Sequence, residues 1–188
     1  MFKIIKKEPL NPSMTRMVIE APFVARKAMP GQFIILRVNE TGERIPLTIA
    51  DYDREAGTVT IIYQKVGKST LLLDEQEAGG YLMDFIGPLG KASELEGYKK
   101  AAVIGGGAGC AIAYPQAKAL HAMGTKVDMI AGFRDKDLII LENEMREASD
   151  RLIVMTDDGS NGNKGFVTAA LQKNIDEGAD YDLVIAIG

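Results

Sequence analysis

The chain has 188 residues, with 22 Lys and Arg against 26 Asp and Glu and a formal net charge of −4. That length accommodates one large domain or two of about 90–100 residues, and 46% hydrophobic with 26% charged residues is a globular balance, not a disordered one. The mild acidity argues against nucleic acid as a partner, the single cysteine, Cys110, excludes a disulfide framework or a four-cysteine metal cluster, and runs such as Leu71-Leu72-Leu73 are too short to span a bilayer.

The N-terminal heptapeptide, Met1-Phe2-Lys3-Ile4-Ile5-Lys6-Lys7, lacks the continuous apolar core of a signal peptide, so a cytoplasmic location is expected. Residues 2–7, 15–21, 32–38, 47–52 and 58–65 are rich in β-branched and aromatic side chains with partial alternation and are predicted strands. Between them fall turn signals such as Pro9-Leu10-Asn11-Pro12 and Pro30-Gly31, and prolines at 9, 12, 22, 30 and 46 forbid long helices. Residues 69–76 are expected to form the one short helix of this half, and residues 81–86 a sixth strand. Six antiparallel strands at this spacing predict a small Greek-key barrel, because closure removes exposed edges.

From Lys99 the rhythm becomes strand, glycine turn, helix. Strands are predicted over 101–104, 126–131, 151–155 and 183–187, and helices over 111–123, 138–148 and 166–173. Alternating elements with fully apolar strands imply a doubly wound parallel sheet. The predicted domains are therefore residues 1–97 and 98–188, with Gly97 at the hinge. The final apolar strand should open onto a ligand crevice at its C-terminal end, which leads us to expect a longer natural chain.

Gly105-Gly106-Gly107-Ala108-Gly109 is the most informative local feature. Such a turn lets backbone approach a pyrophosphate, whose charge the following helix's first amides favour. It is not the dinucleotide fingerprint: counted from Gly105 the third glycine falls on Cys110, and counted from Gly107 on Ile112. The acidic residue expected at the end of the second strand is replaced by Gly132-Phe133-Arg134. A close-packed turn without ligand is the alternative. Gly67-Lys68-Ser69 lacks the earlier glycine of a phosphate loop, since position 62 is Ile62. It is either a weak phosphate site or an ordinary capped helix start. Arg44, ahead of Pro46-Leu47-Thr48, and the polar run Thr156-Asp157-Asp158-Gly159-Ser160 are each open to a bland reading as solvated surface. His121 has no partners at metal-ligand spacing.

Taken together and in order, Pro30-Gly31-Gln32-Phe33, Pro46-Leu47-Thr48, Gly67-Lys68-Ser69-Thr70, Gly87-Pro88-Leu89-Gly90 and the 105–109 glycine turn resemble the ferredoxin–NADP reductase superfamily over essentially the whole chain. Ile45-Pro46-Leu47-Thr48-Ile49-Ala50-Asp51 and Thr156-Asp157-Asp158-Gly159-Ser160 look most like one branch. That branch holds the dihydroorotate dehydrogenase electron-transfer subunit and the small subunit of NADH-dependent reduced ferredoxin:NADP oxidoreductase, also known as sulfide dehydrogenase beta subunit.

The resemblance implies FAD in the barrel, with Pro46, Leu47 and Thr48 along the isoalloxazine and Thr48 near flavin N5. It puts Ile62, Tyr63 and Gln64 near the ribityl chain, and Gly67, Lys68, Ser69 and Thr70 on the pyrophosphate. Gly105, Gly106, Gly107 and Gly109 would receive the dinucleotide pyrophosphate, with Gly132, Phe133, Arg134, Asp157, Asp158 and Gly159 around its adenosine half. The superfamily's flavin-phosphate arginine falls on Ile45, with Arg44 one position further back and on the opposite face of a regular strand. A 2Fe–2S cluster is expected only in a segment beyond Gly188. Hydride exchange between nicotinamide and flavin needs no side-chain acid or base; Cys110 either reaches the nicotinamide or packs the helix on its strand. Asp157 and Asp158 suit ribose hydroxyls and repel a 2′-phosphate, so NAD(H) is expected over NADP(H), with Arg134 as the opposing charge. The implied partners are a larger flavoprotein or iron–sulfur subunit and, indirectly, ferredoxin. The alternatives are a nucleotide-binding module without turnover and a stand-alone flavin reductase.

Overall fold

A computed structural model describes residues 1–188 as two compact units, Met1–Ser93 and Glu94–Gly188. In the first unit β1 (Phe2–Asn11), β2 (Met14–Glu20), β3 (Phe33–Arg37), β4 (Ile45–Asp53), β5 (Thr58–Gln64), β6 (Tyr81–Leu82) and β7 (Asp84–Leu89) join one sheet in the order β6-β1-β2-β5-β4-β3-β7. β5 returns beside β2, which makes the path a Greek key. The two end strands are separated by one residue, so the sheet curls almost closed, and the Phe2 and Phe85 rings meet at 5.7 Å across the seam. Ile4, Met17, Ile19, Ile34, Leu36 and Ile61 fill its interior and are fully buried.

Three expectations for this unit need correction. There are seven strands, because the predicted sixth divides at Met83 into β6 and β7. β1 also runs through Pro9 to Asn11; the register shifts between Pro9 and Asn11, and such an irregularity accommodates a residue without an amide hydrogen. Finally, α2 (Lys68–Asp74) is not the only helix. Pro22 opens α1 (Pro22–Lys27) at its first turn, where its missing N–H costs nothing, and Val24 and Ala25 plug the barrel.

The second unit is built from β8 (Lys100–Gly106), a 3-10 turn over Gly107–Gly109, α3 (Cys110–Ala122), β9 (Lys126–Phe133), α4 (Glu142–Glu147), β10 (Arg151–Thr156), α5 (Val167–Asp176) and β11 (Leu183–Ile187). The sheet is parallel throughout, ordered β10-β9-β8-β11. α5 covers one face through Ile104, Ile130 and Ala170. The alternate positions Val103 and Met129 are equally buried and face the side that α3 covers, so the winding is double. The predicted 138–148 helix is shorter: a 3-10 turn at Lys136–Leu138, capped by the Asp135 carboxylate, precedes it, and Leu141 holds a left-handed φ of 55° before α4.

The sheet's helix packing is tight at Gly132, where an added Cβ would stand 2.6 Å from Val167 Cγ1 of α5. Gly132→Ala is expected to destabilise the chain by about 1–3 kcal/mol through overpacking. Urea unfolding of Gly132→Ala beside the Gly132→Ala/Val167→Ala pair checks the cause, since trimming the valine should recover part of the loss.

Candidate functional site

In β4, Ile45, Leu47 and Ile49 pack toward the barrel core, while Pro46 and Thr48 face outward. The same alternation buries Val59, Ile61 and Tyr63 of β5 and turns Ile62 and Gln64 out. Leu47 and Tyr63 therefore do not offer their side chains to a ligand on the outer face. The cross-strand registers Phe33↔Thr48 and Arg16↔Ile62 range Phe33, Thr48, Ile62 and Arg16 over that face. The Thr48 hydroxyl has no partner, and Gln32 closes one end of the row by donating from Nε2 to the Gly90 carbonyl at 3.0 Å.

α2 begins beside this face. Thr70 Oγ1 accepts from the amides of Val66 (3.2 Å) and Gly67 (3.1 Å), which fixes the helix start. A Cβ on Gly67 would meet nothing within 4 Å, and Gly67 and Lys68 are exposed, so the helix start is open to solvent; its first-turn amides, which have no partner within the helix, suit an anionic oxygen. Ser69 Oγ donates to Glu43 Oε2 at 3.0 Å, bringing residues 43 and 44 to the same place. Arg44 itself is turned away: its Nη2 lies 2.9 Å from Asp84 Oδ2, a carboxylate already held by Arg37 Nε at 2.7 Å.

The far end of α2 is anchored by Asp74. Its Oδ1 accepts from Thr15 Oγ1 at 2.7 Å and from the Tyr63 hydroxyl at 3.0 Å. Lys65 Nζ stands 3.6 Å from Oδ2, and Lys7 Nζ donates to the Asp74 carbonyl. Burial alone would push the Asp74 carboxyl up, but the two hydroxyl donors and two ammonium groups outweigh it and hold it below the usual range. Burial, with that carboxylate beside it, pushes the Tyr63 hydroxyl well up, so it stays a donor.

In the second unit the parallel strands bring their C-terminal ends to one edge. β8 delivers the glycine turn there, β9 delivers Gly132, Phe133 and Arg134, and β10 delivers Asp157, Asp158 and Gly159. The last two loops are stitched together: the amide of Asp157 donates to the Phe133 carbonyl at 3.0 Å, and that of Asp158 to the Arg134 carbonyl at 3.3 Å. Asp158 Oδ1 accepts from the Ser160 amide, and chiefly that bond holds its exposed carboxyl below the usual range. The Asp157 carboxylate and the Arg134 guanidinium are exposed and without partners.

The four glycines of the turn divide into two pairs. A Cβ on Gly109 would stand 2.4 Å from the Ile187 carbonyl oxygen, and one on Gly105 would stand 2.8 Å from Cys110, so these two are required by packing. Over Gly107, at φ +51°, there is open space, and over Gly106 only Gly188 Cα approaches, at 3.6 Å. Backbone open enough for a ligand to approach is thus confined to 106 and 107 and does not extend across the whole turn. Cys110 is fully buried beneath it. Burial pushes its thiol up to about 12, with a backbone bond to Gly132 acting the other way, so it stays a neutral packing residue, and of its two expected roles the one beside the nicotinamide is set aside.

One residue the sequence reading passed over stands beside this edge. The 157–165 loop folds back so that the Gly165 amide donates to the Thr156 carbonyl at 3.0 Å, leaving the next residue, Phe166, 67% exposed at the start of α5. An aromatic among turn residues was the available signal. No group of three His, Cys, Asp or Glu forms a metal site, and no helix is long and apolar enough to cross a membrane.

No family model matches the chain. It is 42% identical over 186 residues to a dihydroorotate dehydrogenase B (NAD(+)) electron transfer subunit homolog of Thermotoga maritima, matching 99% of this chain and 65% of that protein. It is 35% identical over 182 residues to the dihydroorotate dehydrogenase B (NAD(+)) electron transfer subunit of Streptococcus mutans, matching 94% of this chain and 69% of that protein. A solved structure of the NADH-dependent reduced ferredoxin-NADP oxidoreductase superposes on the whole chain and on 67% of its own, with a TM-score of 0.93 and 40% identity. The chain thus spans about two thirds of the length of these relatives.

The Asp74 anchor gives a pH dependence. A carboxyl held lower in the folded than in the unfolded chain contributes stability that is complete above about pH 4 and lost as pH falls through the folded value. Asp74→Ala, which strands two buried hydroxyls, should cost about 1–3 kcal/mol at neutral pH. Asp74→Asn keeps an acceptor but should flatten the acid limb, as read by urea unfolding between pH 6 and 2.

Proposed function

The chain belongs to the family of the dihydroorotate dehydrogenase B electron transfer subunits, and from that footing we infer that it is the flavin- and nicotinamide-binding part of an electron-transfer oxidoreductase. The barrel unit would hold FAD against the outward row of Phe33, Thr48 and Ile62, with Pro46 beside it. Lys68, Ser69 and Thr70 would meet its pyrophosphate. Arg44 is not needed for that contact while Asp84 holds it. The second unit would hold NAD(H), its pyrophosphate over Gly106 and Gly107 and its adenosine half among Asp157, Asp158 and the exposed ring of Phe166.

Bound FAD supplies the ability to accept a hydride from NADH and to release electrons singly. The chain's own contribution is orientation and local polarity. Thr48 places a free hydroxyl on the flavin face, and strand β4, stiffened by Pro46, keeps it in place. No acid or base is required, which agrees with the absence of a titratable group among Pro46, Leu47 and Thr48. Electrons would pass on to a larger partner subunit of flavoprotein or iron–sulfur type, with ferredoxin as a more distant participant.

The observation that carries this reading is the sewn pair of loops after β9 and β10 beside an open glycine backbone, all on one sheet edge. Two unpaired acceptor oxygens at Asp157 suit a pair of ribose hydroxyls and oppose a phosphate dianion. We therefore assign NAD(H) over NADP(H).

Reconstitution with FAD followed by anaerobic mixing with each nucleotide tests the assignment. NADH should bleach the flavin faster than NADPH, and Asp157→Ala should slow the NADH reaction about tenfold at limiting nucleotide. Faster bleaching by NADPH would reverse the nucleotide assignment. Retained flavin that neither nucleotide bleaches would favour a binding module without turnover.

A further inference from the structure

β10 is the outermost strand of its sheet and pairs only with β9. In a strand the amide and carbonyl of every second residue point to the same side, so Leu152, Val154 and Thr156 share the free edge. The returning loop takes part of it: the Thr156 amide donates to the Asn163 carbonyl at 2.9 Å, and the Val154 carbonyl accepts from Asn161 Nδ2 at 2.9 Å and Asn163 Nδ2 at 3.1 Å. Neither asparagine bonds Leu152, and there the edge borders a groove of about 560 Å³ between β10 and α5.

The groove has one sign of charge. Arg151, Lys164 and Lys173 line it and no carboxylate does, in a chain whose net charge is −4; Lys173 Nζ stands 3.8 Å from Glu177 Oε1 at the end of α5, which leaves Arg151 and Lys164 as the uncompensated pair. Ala169 and Ala170 keep its α5 wall low. Asn174, 1% exposed, also lines it. The Tyr181 hydroxyl donates to Asp128 Oδ2 at 2.6 Å and must therefore accept from Asn174 Nδ2, at 3.0 Å. That fixes the amide orientation and leaves Asn174 Oδ1 buried without a donor.

An occupant that answers both the edge and the charge must bring main-chain donors and acceptors for Leu152 and carboxylates for Arg151 and Lys164. We propose that the β10–α5 groove docks an extended acidic segment of a partner protein, laid alongside β10 as an added strand. A free carboxylate answers the cations but not the edge. In a second copy of this chain the acidic run Glu142 to Glu147 is helical in α4, so that run is not free to lie along the edge as a strand. A single-sign edge also repels basic strands, so the same cations that exclude other chains admit this one. None of the groove residues is among those assigned to either nucleotide, so the proposal stands apart from the electron-transfer reading.

The test is an amide NMR titration of the full chain with a blocked hexapeptide alternating Val and Glu. The controls are the Val and Lys counterpart and free glutamate. The acidic peptide should shift the amides of Arg151, Leu152, Val154 and Lys173, and added salt should weaken it. Arg151→Glu/Lys173→Glu, which alters two exposed side chains, should weaken binding about tenfold or more. Silence at β10, equal shifts with the basic peptide, or an unaffected double variant would overturn the proposal. Reproduction by glutamate alone would make it a small-ligand site, and concentration-dependent shifts without peptide would make it a contact between copies; either result overturns it. The titration of the unaltered chain decides even if the double variant is unstable.

Discussion

In a β-strand neighbouring side chains leave on opposite faces, and this alternation governs what the barrel unit can present to a ligand. The closed sheet claims one face for its core: Leu47 and Ile49 of β4, and Ile61 and Tyr63 of β5. Only the remaining half, Pro46 and Thr48 with Ile62 and Gln64, is left for chemistry. Core and site are in this sense complementary products of one pattern. A one-residue slip of β4 would turn Thr48 inward and Leu47 out, losing apolar burial and the exposed hydroxyl together. The register is therefore defended by the whole barrel. Asp74 extends that defence to α2, because its carboxylate joins the helix end to Thr15 of β2 and Tyr63 of β5.

The parallel sheet imposes a different condition. Strands that run in one direction gather their loops at one edge, so residues far apart in sequence become neighbours without contacts designed for the purpose. What is particular here is how closely the edge is packed. Gly109 is forced by the Ile187 carbonyl and Gly105 by Cys110, leaving only Gly106 and Gly107 with backbone open to a ligand. The packing reading of the turn thus holds for Gly105 and Gly109, and the ligand reading is confined to Gly106 and Gly107. Tight outer glycines hold the turn against α3 and β11, and that rigidity is what lets the inner pair stay bare.

The architecture was legible in the sequence because both periodicities are strong: short alternating runs with turn signals first, then apolar strands between helices. The misreadings have physical causes. Pro22 was read as a breaker, yet at the first turn of a helix proline is at home. Pro9 was read as a turn, yet β1 passes through it beside a register shift. Three-residue motifs such as Pro46-Leu47-Thr48 were read as contiguous surfaces, whereas a strand divides them between two faces. Cys110 was read either as reaching the nicotinamide or as packing the helix on its strand, and its full burial under the turn agrees with packing. The Asp74 anchor and the β10 groove depend on contacts across many residues, and no local pattern announces them.

α5 carries more than one of these demands at once. Val167 seats against Gly132, so the helix approaches β9 as closely as a valine methyl permits. Ala170 is buried between Ile104 and Ile130. One turn on, Asn174 joins Tyr181 and Asp128, with Lys100 Nζ 3.9 Å from the same carboxylate and 5.1 Å from the tyrosine ring. Burial, with Asp128 beside it, pushes the Tyr181 hydroxyl up to about 12, so it remains a donor and the chain of bonds keeps its direction. These contacts fix the helix at both ends and in the middle, which keeps Phe166 at one end and Lys173 at the other in set positions on the sheet. A helix pinned in this way cannot slide to satisfy Asn174 Oδ1 from within the fold, so the acceptor stays buried and unmet.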